Sequence, residues 1–272
     1  MYPIIHFLNR DIGTYGLFAI AGLLVCGFVV SLLAKKRKKI PVEDVVIAIL
    51  IIAAGLLIGS HILYGITQWR TIGEMLSGIG SKPIAELWNL AISAFGGSVF
   101  YGGFLGGGAA LGIYLKIKKD KNIRSWFDFY GIAIPLFHTF GRIGCFFGGC
   151  CYGIESTFGF TAHGNTLIPE LNDVQRFPVQ LLESLCNLLL FFALLIIYKH
   201  IKSEGRMIFF YMIIYPVIRF SDEFLRGDVI RGVWGPFSTS QWVSIFVFIA
   251  GVIGMIVINR KDRKKEAAAC GC

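Results

Sequence analysis

Charged residues are scarce in this sequence. Only 16% of the 272 residues are Asp, Glu, Lys or Arg, whereas 55% are apolar. A soluble domain of this size needs far more polar surface, because an exterior tiled with Leu, Ile and Phe aggregates. Apolar runs of about 20 residues, the length that crosses a hydrocarbon core of about 30 Å, recur along the chain. The composition therefore excludes a soluble fold and predicts an all-α integral membrane protein.

The sequence also lacks the cysteine pattern of a disulfide framework or a zinc module. Its seven cysteines are odd in number and unevenly spaced. No cleavable signal peptide is evident, because the first apolar run has no basic segment before it and a strong stop signal behind it. We expect no metal ion at the active site and no cofactor.

The basic residues form short blocks at the ends of apolar runs. The net charge is +9, and the cations cluster within residues 35–39, 116–124, 199–206 and 260–265. Every second inter-helix segment is basic, which is the pattern of cytoplasmic loops. This distribution indicates membrane topology and not a nucleic-acid surface. It predicts an N-terminus outside the cell and a cytoplasmic C-terminus.

Hydropathy predicts seven transmembrane helices within a polytopic domain of residues 1–260. Residues 261–272 are expected to form a disordered cytoplasmic tail. The middle of the chain is rich in glycine, which permits close helix packing and broken helices that line a cavity. The predicted spans are residues 14–34, 43–67, 95–115, 126–145, 179–198, 207–224 and 239–258.

Several polar residues within these spans are predicted to lie at one depth. A helix rises about 1.5 Å per residue, so Arg142 lies about 24 Å from the inner end of its span. Glu223 also lies about 24 Å from the inner end of its span. Arg219 lies about 18 Å, and Tyr101 about 22 Å, from the inner face. Tyr15 stands at the outer mouth of the first span. These positions predict a site near the outer face of the bilayer.

The charges of this site favour a phosphate ligand. Arg219, Glu223 and Arg226 are spaced i, i+4, i+7 and should share one helix face. An Arg–Glu pair that only neutralises itself is the structural alternative. With Arg142 at the same depth, however, one Glu does not balance three arginines. Excess guanidinium at headgroup depth predicts a phospholipid headgroup, because Arg binds phosphate bidentately.

A histidine and three cysteines accompany Arg142. His138 precedes it by one helical turn on the same face, where a packing role is the alternative to a catalytic one. Cys145, Cys150 and Cys151 follow it. On an unbroken helix Cys145 and Cys150 would point about 140° apart, so joint action requires a break at Gly148-Gly149. Buried apolar filler is the alternative for the cysteines.

These motifs carry a family resemblance along nearly the whole chain. Residues 141–153 resemble the signature of the prolipoprotein diacylglyceryl transferases, which begins Gly-Arg-x-Gly-Asn-Phe and ends in Gly. The helix containing Arg219, Glu223 and Arg226 is similar to the family's Arg-x-x-x-Glu-x-x-Arg helix. Further similarities lie in residues 14–17 (Tyr-Gly), 101–106 (His-Gly-Gly-Leu-Ile-Gly in the family), 177–183 (His-Pro-x-Gln-Leu-Tyr-Glu) and 240–242.

The resemblance implies transfer of a diacylglyceryl group from phosphatidylglycerol to the lipobox cysteine of a prolipoprotein. It implies a multi-pass protein of the bacterial plasma membrane, with phosphatidylglycerol, prolipoprotein signal peptides and the bilayer as partners and no nucleic acid. Such a reaction needs a donor for charge that develops on the leaving phosphate, and a base for the acceptor thiol. The expected catalytic residues are Arg142, Arg219, Glu223, Tyr101 and His138. The expected substrate-binding residues are Arg142, Tyr15, Gly102, Gly103, Gly144, Gly153, Tyr215 and Arg226.

The chain departs from the family pattern at five positions. Tyr101 and Phe177 stand at motif histidines, Cys145 at the signature asparagine, Cys150 at the signature glutamate, and His61 where an arginine is usual. A neutral tyrosine cannot serve as a base near pH 7 as imidazole can.

These departures leave several possibilities open. One possibility is that His138 has taken over the role of base. A second is that the motif histidine was never the base, and a third is that the chain performs different chemistry. The alternative functions are a related phospholipid-dependent transferase with another acceptor, and a membrane thiol-redox or metal-handling protein that uses Cys145, Cys150 and Cys151. A carrier or channel is a weaker alternative, because the charges lie at one level and form no path across the membrane.

Overall fold

The computed structural model describes residues 4–7, 10–38, 40–163, 165, 168–201, 203–228 and 232–270. Nine α-helices account for most of these residues. The helices are α1 (Thr14–Lys38), α2 (Val42–Thr67), α3 (Trp69–Ser77), α4 (Ile84–Phe95), α5 (Phe100–Ile117), α6 (Ile123–Gly148), α7 (Val179–His200), α8 (Met207–Asp222) and α9 (Thr239–Cys270).

Short antiparallel strand pairs join some of these helices. Strands β1 (Ile4–Phe7) and β2 (Arg10–Gly13) precede α1. Strands β3 (Glu155–Thr161) and β4 (Gln175–Arg176) lie between α6 and α7, and β5 (Val233–Trp234) and β6 (Phe237–Ser238) precede α9. The predicted all-α class is correct for the helical body, and the strands are confined to loops.

Four helices of the described chain are long and apolar enough to cross a membrane: α1, α2, α7 and the Thr239–Ala268 part of α9. A fifth span forms if α4 and α5 are taken together. Helices α6 and α8 fall outside this set. Helix α6 carries Asp128 and Arg142, and α8 has only 16 residues. Several apolar helices are thus present, as expected of a membrane protein, whereas a count of seven spans stays a prediction.

The third predicted span is bent. Its helix was expected to run through residues 95–115, but α4 ends at Phe95, α5 begins at Phe100, and the two helices meet at 85°. The bend falls at Gly96-Gly97, where glycine tolerates a helix break. The segment between the predicted second and third spans contains α3 and most of α4.

Two further helix ends differ from the predictions. Helix α9 runs through residue 270, so residues 261–270 are helical and not disordered, in keeping with the helix-forming Lys, Glu and Ala residues there. Residues 271 and 272 of the predicted tail lie outside the described residues. Helix α8 ends at Asp222, two residues early, and a 3-10 turn (Glu223–Leu225) follows.

The chain divides into two compact units. One comprises residues 1–33 and 124–272, and the other residues 34–123. In the larger unit, α8 packs against α9 and α7. Helix α6 approaches α8 so closely that a Cβ at Gly131 would lie 2.6 Å from the backbone nitrogen of Ile208. The Cys26 thiol of α1 donates to the Ala133 carbonyl of α6 at 3.3 Å.

The smaller unit is built on the contact between α2 and α5. A Cβ on Gly102 of α5 would lie 2.4 Å from the Gly59 carbonyl oxygen of α2, and one on Gly106 would lie 2.3 Å from the Gly55 carbonyl oxygen. Only glycine allows two helix backbones to approach this closely. At the end of the pair, Lys118 Nζ lies 2.5 Å from Asp44 Oδ1.

A carboxylate from α6 caps the start of α8. Asp128 is buried, and its two oxygens accept from the backbone N–H groups of Gly205 and Met207 at 2.7 and 2.8 Å. The first N–H groups of a helix have no partner within the helix. This side chain therefore supplies acceptors from 77 and 79 residues away in sequence.

The Asp128→Ala variant should be strongly destabilised. Each orphaned buried N–H costs about 1–3 kcal/mol, so losing the acceptor of two such groups should cost about 2–6 kcal/mol. Thermal unfolding in detergent measures it. Asp128→Asn keeps one oxygen acceptor and should lose about half as much, and Glu43→Ala, on the exposed start of α2, is the control. Equal midpoints for Asp128→Ala and Glu43→Ala would contradict the capping role.

Candidate active site

Arg142 lies at the centre of a buried polar cluster in the larger unit. Its Nε is 2.9 Å from Glu183 Oε2 on α7, and both side chains are buried. The Tyr215 hydroxyl of α8 donates to Glu183 Oε1 at 3.3 Å, and His138 Nε2 lies 3.6 Å from the same oxygen. The ring centroids of His138 and Tyr215 are 5.0 Å apart, edge to face. Three helices therefore converge on one carboxylate.

Polar contacts between α6 and α7 hold this cluster in register. Ser184 Oγ donates to the Thr139 carbonyl at 3.1 Å, next to the Arg142–Glu183 pair. Gln180 Nε2 donates to the Cys150 carbonyl at 2.9 Å. These residues of α7 recur at helical spacing and are buried, so one face of an otherwise apolar helix is polar.

A second arginine lies on α8. Arg219 is buried, its Nη1 is 2.6 Å from Glu223 Oε2, and its Nη2 donates to Ser240 Oγ of α9 at 3.0 Å. Asp222, which precedes Glu223 in the sequence, is also buried. The predicted contact between Arg219 and Glu223 at i, i+4 is present.

Arg226 is not on the helix face predicted for it. Helix α8 ends before it, and Arg226 forms an isolated β-bridge with Gly153. Its guanidinium binds Asp228, with Nη2 to Oδ2 at 2.8 Å. The expected i, i+7 alignment with Arg219 is therefore wrong, because the chain turns at residues 223–225.

The expected excess of guanidinium charge is also wrong. Each arginine has a carboxylate within 3 Å: Glu183 for Arg142, Glu223 for Arg219 and Asp228 for Arg226. Sequence reasoning counted only Glu223. It missed the role of Glu183 although this residue lies in the motif of residues 177–183. A signal was available, because Gln180, Glu183 and Asn187 share one face of an apolar span.

Backbone hydrogen bonds join the loop that follows α6 to the loop that follows α8. Gly227 N donates to the Tyr152 carbonyl at 2.9 Å, and Ile154 N donates to the Leu225 carbonyl at 3.0 Å. A Cβ on Gly153 would lie 2.2 Å from the Phe177 carbonyl oxygen, so this position requires glycine for packing. Its predicted contact with substrate stays a prediction.

The remaining predicted residues fall in two places. Tyr15 begins α1 in the larger unit and is half exposed, and Gly144 of α6 lies against it. Tyr101, Gly102 and Gly103 begin α5 in the smaller unit. There Tyr101 is buried, and the two glycines pack against α2. Their predicted roles in the site are untested.

The three cysteines of residues 145–151 come together. Helix α6 ends in a Schellman motif, in which Cys150 N donates to the Cys145 carbonyl at 3.1 Å and Gly149 N to the Phe146 carbonyl at 3.4 Å. Gly149 takes the positive φ of 76° that this motif needs. The chain therefore breaks at Gly148-Gly149, as joint action of the cysteines requires. The sulfur atoms of Cys145, Cys150 and Cys151 all lie within 4.8 Å of one another.

Cys151 has an unusual backbone and electrostatic environment. Its φ is +59°, a conformation that costs a non-glycine residue about 1–2 kcal/mol. Hydrogen bonds from the Cys145 and Cys150 thiols, together with the positive charges of Arg226 and Arg142, hold the pKa of the Cys151 thiol well below its usual range. The thiols of all three residues are unbridged. Three cysteine sulfurs this close together form a soft ligand set.

Comparison with known proteins agrees with the motif resemblance. The model of the prolipoprotein diacylglyceryl transferase family matches residues 3–257. A phosphatidylglycerol–prolipoprotein diacylglyceryl transferase 2 from Clostridium perfringens is 38% identical over 222 residues, which cover 80% of this chain and 79% of that protein.

Two other relatives extend the match over almost the full length. Phosphatidylglycerol–prolipoprotein diacylglyceryl transferases from Clostridium tetani and Clostridioides difficile are 32% and 30% identical, over 255 and 257 residues. Each match covers 93% of this chain, and 95% and 93% of the respective relative. The chain belongs to the prolipoprotein diacylglyceryl transferase family.

Proposed function

We propose that the protein transfers the diacylglyceryl group of phosphatidylglycerol to the lipobox cysteine of prolipoproteins and releases glycerol phosphate. The observation that carries this proposal is the family match over residues 3–257. The buried Arg142–Glu183 pair, with Arg219 on a neighbouring helix, supports it with two oriented guanidinium groups, a side-chain type that can bind phosphate bidentately. The names of the relatives specify the same donor and the same class of acceptor.

Arg142 and Arg219 are the proposed donors to the leaving phosphate. The bond that breaks joins glyceryl carbon to phosphate oxygen, so negative charge grows on that oxygen in the transition state. A guanidinium has five N–H donors. The contact of Arg142 with Glu183 is through Nε. Fixing the guanidinium in this way before substrate binds supports stabilisation of the transition state without reorganisation.

The carboxylates are proposed to orient the arginines. Glu183 fixes Arg142, and Glu223 fixes Arg219, which also binds Ser240. Tyr215 and His138 in turn surround Glu183. The other proposed substrate contacts are Tyr15, Gly102, Gly103, Gly144, Gly153 and Arg226.

His138 is the proposed proton acceptor. It lies 3.6 Å from Glu183, one helical turn before Arg142, and a neutral imidazole has a nitrogen that can accept a proton, whereas a neutral tyrosine hydroxyl is a far weaker base. His138→Ala should abolish transfer, and Tyr101→Phe should leave it largely intact. The measurement is conversion of a lipobox peptide in vesicles that contain phosphatidylglycerol. Transfer that survives His138→Ala would show that another group accepts the proton.

The topology is proposed to be that of a multi-pass plasma-membrane protein. The chain would cross the bilayer seven times, with α6 and α8 among the spans, the N-terminus outside and the C-terminus in the cytoplasm. The cations of residues 35–38 at the end of α1, of residues 199–206 after α7 and of residues 260–265 support this orientation. The body would be residues 1–260, with a cytoplasmic extension after it.

A complementation experiment tests the function. A bacterium lacking its own transferase should regain lipid-modified prolipoprotein, read as a gel shift, when it expresses this chain. The Arg142→Ala variant should fail, and Arg263→Ala, an exposed arginine of α9, should succeed. Absence of any gel shift with properly inserted wild-type protein would overturn the proposed acceptor.

A related transferase with another acceptor is the second candidate. Cys145 and Cys150 stand at signature positions that hold Asn and Glu in the family, which favours altered acceptor chemistry. This enzyme would release glycerol phosphate from phosphatidylglycerol without producing the prolipoprotein gel shift. Assaying both products separates the two candidates.

A further inference from the structure

A cluster of three thiols lies next to the arginine site, and the proposed roles of Arg142, Glu183 and His138 do not use it. The cluster consists of Cys145, Cys150 and Cys151, whose sulfur atoms lie within 4.8 Å of one another. Cys145 is buried, whereas Cys150 and Cys151 are partly exposed. The three residues are therefore buried or half-buried, and the cluster forms inside the protein.

We propose that Cys145, Cys150 and Cys151 bind one thiophilic metal ion of the Zn²⁺ class and leave its fourth coordination position open to an external thiol. Zn–S bonds of about 2.3 Å in a tetrahedral site place sulfurs about 3.8 Å apart. The sulfurs of this cluster need to move by about 1 Å or less to reach that spacing.

The backbone that presents the thiols is fixed from several sides. The Schellman motif folds Cys150 back over Cys145, and Gln180 Nε2 holds the Cys150 carbonyl at 2.9 Å. Cys151 keeps a positive φ that favours glycine, so the chain retains a side chain at a position of backbone strain. Simple apolar filling does not explain this strain.

The number of thiols favours a metal over a disulfide. Oxidation of any two of them forms one bond and leaves the third thiol unpaired. A disulfide also requires the sulfurs to approach to about 2.05 Å, which is a larger movement than metal binding needs. Three thiolates on a divalent ion carry one net negative charge, and the positive charges of Arg226 and Arg142 act on this cluster. The charge of the occupied site is thus compensated.

The open position matches the chemistry of the reaction, and this part of the inference rests on the proposed function. A catalytic zinc site keeps three protein ligands and one exchangeable position. A thiol that binds there loses its proton to solvent or to a neighbouring base. The resulting thiolate would attack the glyceryl carbon. A sulfur–carbon bond forms, the carbon–oxygen bond breaks, and its electron pair leaves with the phosphate oxygen.

The test uses the full-length protein in detergent, reduced and stripped of metal, and Co²⁺ as the probe. A reference variant replaces the other four cysteines (Cys26→Ala, Cys186→Ala, Cys270→Ser and Cys272→Ser). It should bind one Co²⁺ per chain with a thiolate-to-metal charge-transfer band. Adding Cys145→Ser, Cys150→Ser and Cys151→Ser should remove that band.

Single substitutions guard against misfolding of the triple variant. Each of Cys145→Ser, Cys150→Ser and Cys151→Ser should weaken Co²⁺ binding at least about tenfold, with an unchanged thermal midpoint. Cys186→Ser in the otherwise unchanged chain, a cysteine of α7 outside the cluster, should have no effect on binding. A reference variant without the band, or a band that persists in the triple variant, would overturn the metal site.

An external thiol tests the open position. Adding 2-mercaptoethanol to the Co²⁺-loaded reference variant should intensify the charge-transfer band without releasing the ion. An unchanged band would mean that no position is open and would overturn that part of the inference. None of these measurements involves lipid or prolipoprotein. If the transferase assay fails while the Co²⁺ site is intact, the proposed function is contradicted and the metal site is not.

Discussion

Replacing Arg142 by Lys is expected to lower diacylglyceryl transfer at least about 100-fold, the effect of removing one transition-state donor in enzymes that stabilise an oxyanion. Lysine keeps the positive charge but loses the planar fork that donates to two phosphate oxygens at once. It would also meet Glu183 as a point charge and not with the planar guanidinium whose Nε lies 2.9 Å from Glu183 Oε2. Charge alone is therefore expected to be insufficient.

The loss should appear in kcat for lipobox-peptide modification in vesicles of fixed phosphatidylglycerol content. Arg263→Lys, the same change at an exposed position of α9, is the matched control and should retain full activity. Thermal unfolding of both variants checks that the fold is intact. If Arg142→Lys keeps activity within about threefold of wild type, bidentate donation by Arg142 is not what accelerates the reaction.

The second large effect is expected in a double-mutant cycle on Arg142 and Glu183. Both side chains are buried and lie 2.9 Å apart through Nε and Oε2. Removing one partner of such a pair leaves an uncompensated charge and costs about 3–5 kcal/mol. Arg142→Met and Glu183→Leu should each be destabilised by that amount, whereas the double variant should recover much of it, because no charge remains.

Activity should not follow stability in this cycle. All three variants are expected to lose transfer, because each lacks the oriented guanidinium. The surface pair of Lys118 and Asp44 provides the comparison, and Asp44→Ala should cost no more than about 1 kcal/mol. A double variant whose loss of stability equals the sum of the two single losses would show that Arg142 and Glu183 are not coupled.

The helical body of the fold could be read from hydropathy because apolar runs of membrane length have few alternative structures. The same criterion is less informative for a helix that contains charged residues. Helix α6 holds Asp128 and Arg142, and it lies outside the set of helices that are apolar enough by composition. The bend between α4 and α5 was not predicted either, although the sequence is rich in glycine in this part of the chain.

Some polar residues of the candidate site could be predicted from the sequence, but their pairings could not. Arg142, Arg219 and Glu223 were found because a charge in a span is costly and needs a reason. Glu183 was missed because its contact with Arg142 joins residues 41 positions apart, and no local spacing rule reports such a contact. Arg226 was misplaced because α8 turns four residues after Arg219. For the thiol cluster, the spacing of Cys145 and Cys150 indicated that the helix must break between them. The way in which the two residues come together is set by the Schellman motif that ends α6.

The cap that Asp128 places on α8 has a consequence for biogenesis. Its two partners, Gly205 and Met207, are synthesised 77 and 79 residues later, after α7 is complete. In the proposed topology α6 enters the bilayer before α8 is made, so its carboxylate cannot yet bind these two amides and should stay hydrated at the membrane surface. We expect α6 to reach its final depth only when α8 arrives, so the Arg142 site matures late in synthesis and not helix by helix.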